Sequence, residues 1–357
     1  MKFSELEYQR PDLDLLKEDF FNQISLIEKA EEAEVALKAT KHIQEIQNTL
    51  GTLSTLVSIR NSINTKDSFY EEETAFWDEH FPIIGEWDTA YYRAVLGSKW
   101  RSELENYLPE TFFPMAENSL KVFSPEIIPL LQQENKLSTE YSKLQASAEI
   151  EFQGQTYNLP GMAKFAQDPD REVRRQASEL VSAFYNDHEA EFDRIYDQLV
   201  KVRDQIAKTL GFKDFVEVGY LRMNRLDYNR QQVEVYRQEI LEHVVPVVNK
   251  LYQRQADRLG LESLKPYDLE YKFKSGNAMP QGTPEEILAA GVKMYHELSP
   301  ETGEFIDFMV DRELLDLVTK PGKASGGYCT YLPDYEAPFN FSNFNGTAAD
   351  VDVLTHE

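Results

Sequence analysis

The sequence predicts a mostly α-helical protein with a small β-sheet near its end. Three observations predict it: apolar residues recur three or four apart over most of the chain, several such stretches open on capping side chains, and period-2 alternation is confined to a few short segments. The clearest stripe runs Phe192, Ile195, Leu199, Val202, Ile206, Leu210, which is one buried helix face. Similar stripes cover residues 15–50, 53–63, 71–96, 127–148, 233–259, 285–298 and 305–318. Asp168-Pro169, Thr283-Pro284 and Ser299-Pro300 each place a capping side chain before a proline suited to the first helical position. Thr283 and Glu286 have the spacing of a reciprocal capping box, and Thr347 with Asp350 repeats it.

The extended segments are few. Residues 149–159 read as a hairpin turning near Gly154, and residues 267–274 as a short extended piece before a loop rich in Gly and Pro. Gly326-Gly327-Tyr328-Cys329-Thr330-Tyr331 and Phe339-Asn340-Phe341-Ser342-Asn343-Phe344 read as two strands joined by the turn between Pro333 and Pro338. Helical periodicity resumes at Ala348, so the final order is strand, turn, strand, helix start. A helix this short needs packing to persist, and the sequence reads as a fragment of a longer one.

The charge balance bounds the function. With 37 Lys and Arg against 62 Asp and Glu among 357 residues, the chain carries a formal charge of −25. Such acidity repels phosphate, which argues against nucleic acid and anionic membrane surfaces as partners. No uncharged apolar run reaches the roughly 18 residues of a membrane span. The opening Met1-Lys2-Phe3-Ser4-Glu5 lacks the basic-then-apolar order of a secretory signal, so a cytoplasmic location is expected. Cys329 is the sole cysteine, which excludes an intramolecular disulfide and a Cys-based zinc site within one chain; a buried strand thiol is expected there.

His356-Glu357 begins a His-Glu-x-x-His pattern, in which two His four apart share a helix face and bind one Zn²⁺ while the Glu faces the metal-bound water. The dipeptide alone is weak, because His188-Glu189 and His296-Glu297 lack a second His at that spacing. Val353-Leu354-Thr355 before it is uncharged, as a helix beneath a cleft floor requires, and the preceding strand 339–344 offers an edge for an extended peptide. From these residues alone two readings stand: a zinc site beside a peptide-binding strand, or an ordinary edge hairpin packed on a helix. His42, His80, His188 and His243 are isolated and read as surface or core residues, and Tyr91-Tyr92 and Phe112-Phe113 as core.

The residues Lys323 to Tyr331, Ala337 to Thr347 and Asp350 to Glu357 closely resemble the oligoendopeptidase F and Pz-peptidase group of the thimet oligopeptidase family. The likeness extends to Met1-Lys2-Phe3-Ser4-Glu5, Arg10-Pro11, Ser124-Pro125, Glu134-Asn135-Lys136-Leu137, Tyr196-Asp197, Lys201-Val202-Arg203 and Leu298-Ser299-Pro300-Glu301-Thr302-Gly303. Family members are longer. The resemblance implies a two-lobed, mostly helical zinc endopeptidase restricted to short peptides, with residues 1–160 a helical lobe ending in the hairpin and residues 161–357 the first part of the catalytic domain. It also implies His356 as first zinc ligand, Glu357 as general base, and Gly326, Gly327 and Tyr328 beside the cleft, with Phe339 to Phe344 as the peptide-binding edge; for Tyr328, packing under the loop is the other reading. The remaining ligands of the implied Zn²⁺ lie past Glu357, so the chain by itself is expected to be inactive. The alternative function, in which the chain is complete, is a helical module that holds extended peptides without cutting them.

Overall fold

The structure, a computed structural model, describes residues 1–356. Asp12 caps α1 (Leu13–Lys29) by accepting from the Leu15 amide, and the chain turns at Ala30 into α2 (Ala33–Ile63), so the stripe expected over 15–50 belongs to two helices. Asp67 caps α3 (Ser68–Leu96). Phe20, Ile24 and Ile27 of α1, Ile43 and Ile46 of α2, and Trp77, Trp87 and Tyr91 of α3 form the largest core, closed by α4 (Arg101–Leu104) and α5 (Phe112–Lys121). Burying each such side chain stabilises the fold by about 1.5–3 kcal/mol before entropy is counted. Next, α6 (Ile128–Ala146) packs along α3.

The expected hairpin forms from β1 (Ile150–Phe152) and β2 (Gln155–Tyr157). Its two turn residues, Gln153 and Gly154, have φ of 50° and 78°, the left-handed pair a two-residue hairpin turn requires. Then come α7 (Leu159–Met162), α8 (Arg171–Asp187), α9 (Glu189–Thr209) and α10 (Phe215–Arg222). The cap of α8 is Asp170 rather than Asp168: the Asp168 carboxylate accepts from the Asp170 amide, and Asp170 accepts from Glu172. The stripe over 233–259 splits into α11 (Arg230–Glu239) and α12 (Val245–Leu259) through a wide turn at Ile240–Val244. Pro246, which has no N–H for the carbonyl of Glu242, follows that turn. The helices form as expected, but α11 buries none of its residues.

Residues 267–274 are not a strand. Pro266–Asp268 is a tight turn whose Asp268 accepts from the Lys265 amide, and the Gln255 side chain takes the carbonyls of Asp268, Leu269 and Tyr271 that a ladder would need. Asp268 itself is buried between Arg171 and Arg174, at 2.8 and 3.1 Å.

Thr283 and Glu286 make the expected capping box of α13 (Pro284–Leu298), and Ser299 caps α14 (Pro300–Asp311). The stripe read as helix through residue 318 ends early. Glu313 takes a φ of 57°, which stops the helix, and β3 (Leu315–Val318) follows. With β4 (Tyr328–Leu332) and β5 (Ala337–Phe344) it forms a sheet in the order β3-β5-β4, parallel across the first pair and antiparallel across the second. Phe339 and Phe341 pack against Phe3 and Leu6 from the N-terminus, Leu56 and Ile59 of α2, and Ile306 and Met309 of α14. The chain then enters α15 (Ala349–His356). No helix among the described residues is long and apolar enough to cross a membrane.

Candidate active site

The expectation that residues 339–344 form a peptide-binding edge is overturned by the sheet order. β5 is the central strand, so both sides of its backbone are occupied by ladders to β3 and β4. Its side chains are covered as well: Phe339, Asn340, Phe341, Ser342 and Phe344 are buried, the two polar residues included. Asn343 is partly exposed and serves the neighbouring loop, donating through Nδ2 to the carbonyls of Ala324 at 2.9 Å and Gly326 at 2.7 Å.

The open edge next to this loop belongs to β4. Tyr328, Cys329 and Thr330 pair with Phe341, Asn340 and Phe339 on one side only. Gly326 and Gly327 lead into the strand and are exposed, and Gly326 has a φ of 89° that a side chain would strain. Tyr328 stacks on Phe341 with centroids 4.8 Å apart and planes 9° from parallel, and burial pushes its phenol up to about 12. Tyr328 thus packs beneath the loop, and it also lines a cleft of about 630 Å³ against α2, α3 and α6. Cys329 is exposed rather than buried, because the inward positions of β4 fall on residues 328, 330 and 332.

Lys323, which sequence reading passed over, anchors this loop from below. Its side chain is 0% exposed; Nζ donates to the carbonyls of Asp316 and Val318, each at 3.0 Å, and pairs with the Asp316 carboxylate. Burial lowers its pKa from the ordinary lysine value, and Asp316 counteracts part of that. No local pattern marks a lysine five to seven residues from its partners as buried.

β5 hands the chain to α15 through a loop fixed by Asp350. The expected reciprocal box between Thr347 and Asp350 is replaced by a longer reach, in which Asp350 accepts from the amides of Asn345 at 3.0 Å and Gly346 at 2.7 Å. Burial raises the Asp350 carboxyl above its ordinary value despite these two bonds. Thr347 Oγ1 instead donates to Asn345 Oδ1 at 2.9 Å. Leu354 anchors α15 in a small core with Ile287, Leu317 and Phe344, and the Tyr295 hydroxyl donates to its carbonyl at 3.1 Å. His356, two residues on, faces away from that core and is exposed. Glu357 lies outside the described residues.

The other histidines are committed elsewhere. His42 bonds Asp19 at 2.8 Å and His296 bonds Asp307 at 2.9 Å. His80 and His188 each contact the carbonyl four residues back at 2.8 Å, and His243 pairs with Glu239. Among the described residues no three His, Cys, Asp or Glu side chains come together as a metal-holding group. His356 is exposed in the last turn of α15, and its imidazole is a side chain of the kind that binds zinc.

Residues 3–123 match the Peptidase M3 N-terminal domain and residues 164–357 match Peptidase family M3. Among solved structures, Pz peptidase A with an inhibitor is 49% identical at a TM-score of 0.98, and an oligoendopeptidase F from Bacillus anthracis str. Ames is 48% identical at 0.98. A further structure described as oligoendopeptidase F is 46% identical, also at 0.98. Each likeness covers 100% of this chain, which spans 63%, 66% and 63% of those three chains respectively. Curated proteins yield no match. With its fold, its strand-to-helix arrangement and both matched segments in agreement, the chain belongs to peptidase family M3.

Proposed function

We propose that the whole protein is a zinc-dependent endopeptidase for short peptides and that this chain supplies its peptide-docking edge and first metal ligand. The observation that supports the reading most is the direct succession of β4, an edge strand, β5, and α15, the helix that packs against β5 and carries His356 in its last turn.

On this reading an extended peptide adds to the outer edge of β4, and main-chain hydrogen bonds hold it whatever its side chains are. Gly326 and Gly327 let the peptide backbone approach closely, while Tyr328 and Lys323 keep the loop in place. His356 would hold zinc through one imidazole nitrogen, as one ligand of the set. When bound, the metal polarises the scissile carbonyl and acidifies its water. Glu357 would serve as general base and then general acid, its carboxylate accepting the proton of the attacking water and giving it to the leaving amine.

The test is Glu357→Gln in a protein that carries the complete ligand set. The expected result is unchanged zinc content with turnover lowered by about 10²–10⁴ or more. Parental turnover in that variant would remove Glu357 from the mechanism.

A further inference from the structure

α3 carries Pro82 in its interior, and a proline has no N–H for the carbonyl four residues back, here that of Asp78. One side chain of α6 takes up the freed carbonyl, and two others bind the same turn. Asn135 Nδ2 donates to the Asp78 carbonyl at 3.1 Å, Gln132 Nε2 donates to the Glu79 carbonyl at 2.8 Å, and Thr139 Oγ1 donates to Asp78 Oδ2 at 2.8 Å. Asp78 Oδ1 accepts no hydrogen bond among the described residues.

This turn faces the cleft of about 630 Å³, whose walls include Trp77, Asp78 and Phe81 on one side and Asn61, Ser325 and Tyr328 on the other. Asn61 Nδ2 and Ser325 Oγ are buried there without a partner. The nearest cation on the wall, Lys143, is already engaged with Glu71 at 2.7 Å. Burial raises the Asp78 carboxyl above its ordinary value, outweighing the Thr139 bond and the more distant Lys143 and Lys136. A carboxylate short of solvent and between aromatic neighbours gains most from a cation, which restores the lost charge compensation.

We propose that this cleft is a subsite for a cationic group of a bound peptide, an N-terminal ammonium or a basic side chain, with Asp78 as its counter-charge. The inference rests on the peptide-docking reading of β4: Tyr328 opens that strand and lines the cleft, so a peptide lying along the edge and past Gly326 enters it.

The test is calorimetric titration of the chain with three peptides of one length and sequence: one with a free N-terminus and a single lysine, one acetylated, and one with norleucine for lysine. Either acetylation or norleucine is expected to weaken binding by about tenfold or more, and the form that does so identifies the ammonium or the side chain as the occupant. In Asp78→Asn the three are expected to bind alike. Equal affinities in the unaltered chain, a comparison that needs no variant, overturn the subsite and leave the docking reading standing. Discrimination that persists in Asp78→Asn also overturns it, and failure of every peptide to bind overturns both.

Discussion

Gly291 of α13 is the seat of Leu354 of α15: a Cβ at position 291 would lie 2.4 Å from Leu354 Cδ2 and 3.1 Å from Cγ. Leu354 is the side chain that holds the His356 helix in its core. Gly291→Ala is therefore expected to push α15 outward and to cost about 1–3 kcal/mol, as overpacked sites do. The control is Gly219→Ala in α10, where the nearest atom is Phe215 Cε1 at an ordinary 3.8 Å. That substitution is expected to stabilise by about 0.5–1 kcal/mol through helix propensity. Denaturant midpoints of the two variants decide whether the close approach at Gly291 is real.

Asp268 predicts a defined acid limb. Burial raises its carboxyl, but hydrogen bonds from Arg171, the Lys265 amide and Arg174 outweigh that and bring it down to about 2. A carboxyl depressed in the folded state stabilises above the unfolded value of about 3.9, and that contribution fades as pH falls from there toward 2. Asp268→Asn, which leaves the buried Arg174 uncompensated, is expected to cost about 3–5 kcal/mol at neutral pH. Its deficit against the parent should shrink between pH 4 and 2. A constant deficit across that window would show that the ion pair is not its source.

Lys323 and Lys66 are a matched pair of opposite burial. Lys323→Met removes the donor from two carbonyls and from Asp316 and is expected to cost about 3 kcal/mol, read from the denaturant midpoint. Lys66 pairs with Glu149 while both are more than half exposed, so Lys66→Met should leave that midpoint in place.

For His356 the readout is metal. In a protein with the complete ligand set, His356→Ala is expected to lose zinc at stoichiometric loading, measured by elemental analysis, while the helical circular dichroism persists. Retained zinc would move the metal site away from α15.

How much of this could be read in advance varied with the range of the interaction involved. Thr283 with Glu286, Ser299 before Pro300, and the turn at Gly154 were legible because each is a contact within a few residues. Asp168 misled, since two Asp residues flank Pro169 and only the fold shows which one meets an open amide. Pro82 held an unread signal: a proline inside a periodic stripe frees the carbonyl at position 78, although nothing local shows that Asn135 takes it.

From the sequence alone came the helical class, the starts of α13 and α14, the β4–β5 turn, the core aromatics and the family likeness at His356. What only the tertiary structure decided is which strand is central and which strands keep an open edge. Period-2 alternation reports that a strand is half covered, yet it is silent on how many neighbours the strand has. β3 arrives from a stretch that reads as helix and pairs in parallel with β5, so the central position passes to β5 and the outer edges to β3 and β4. Long-range pairing also buried Lys323 and Asp268, whose partners the local pattern could not name.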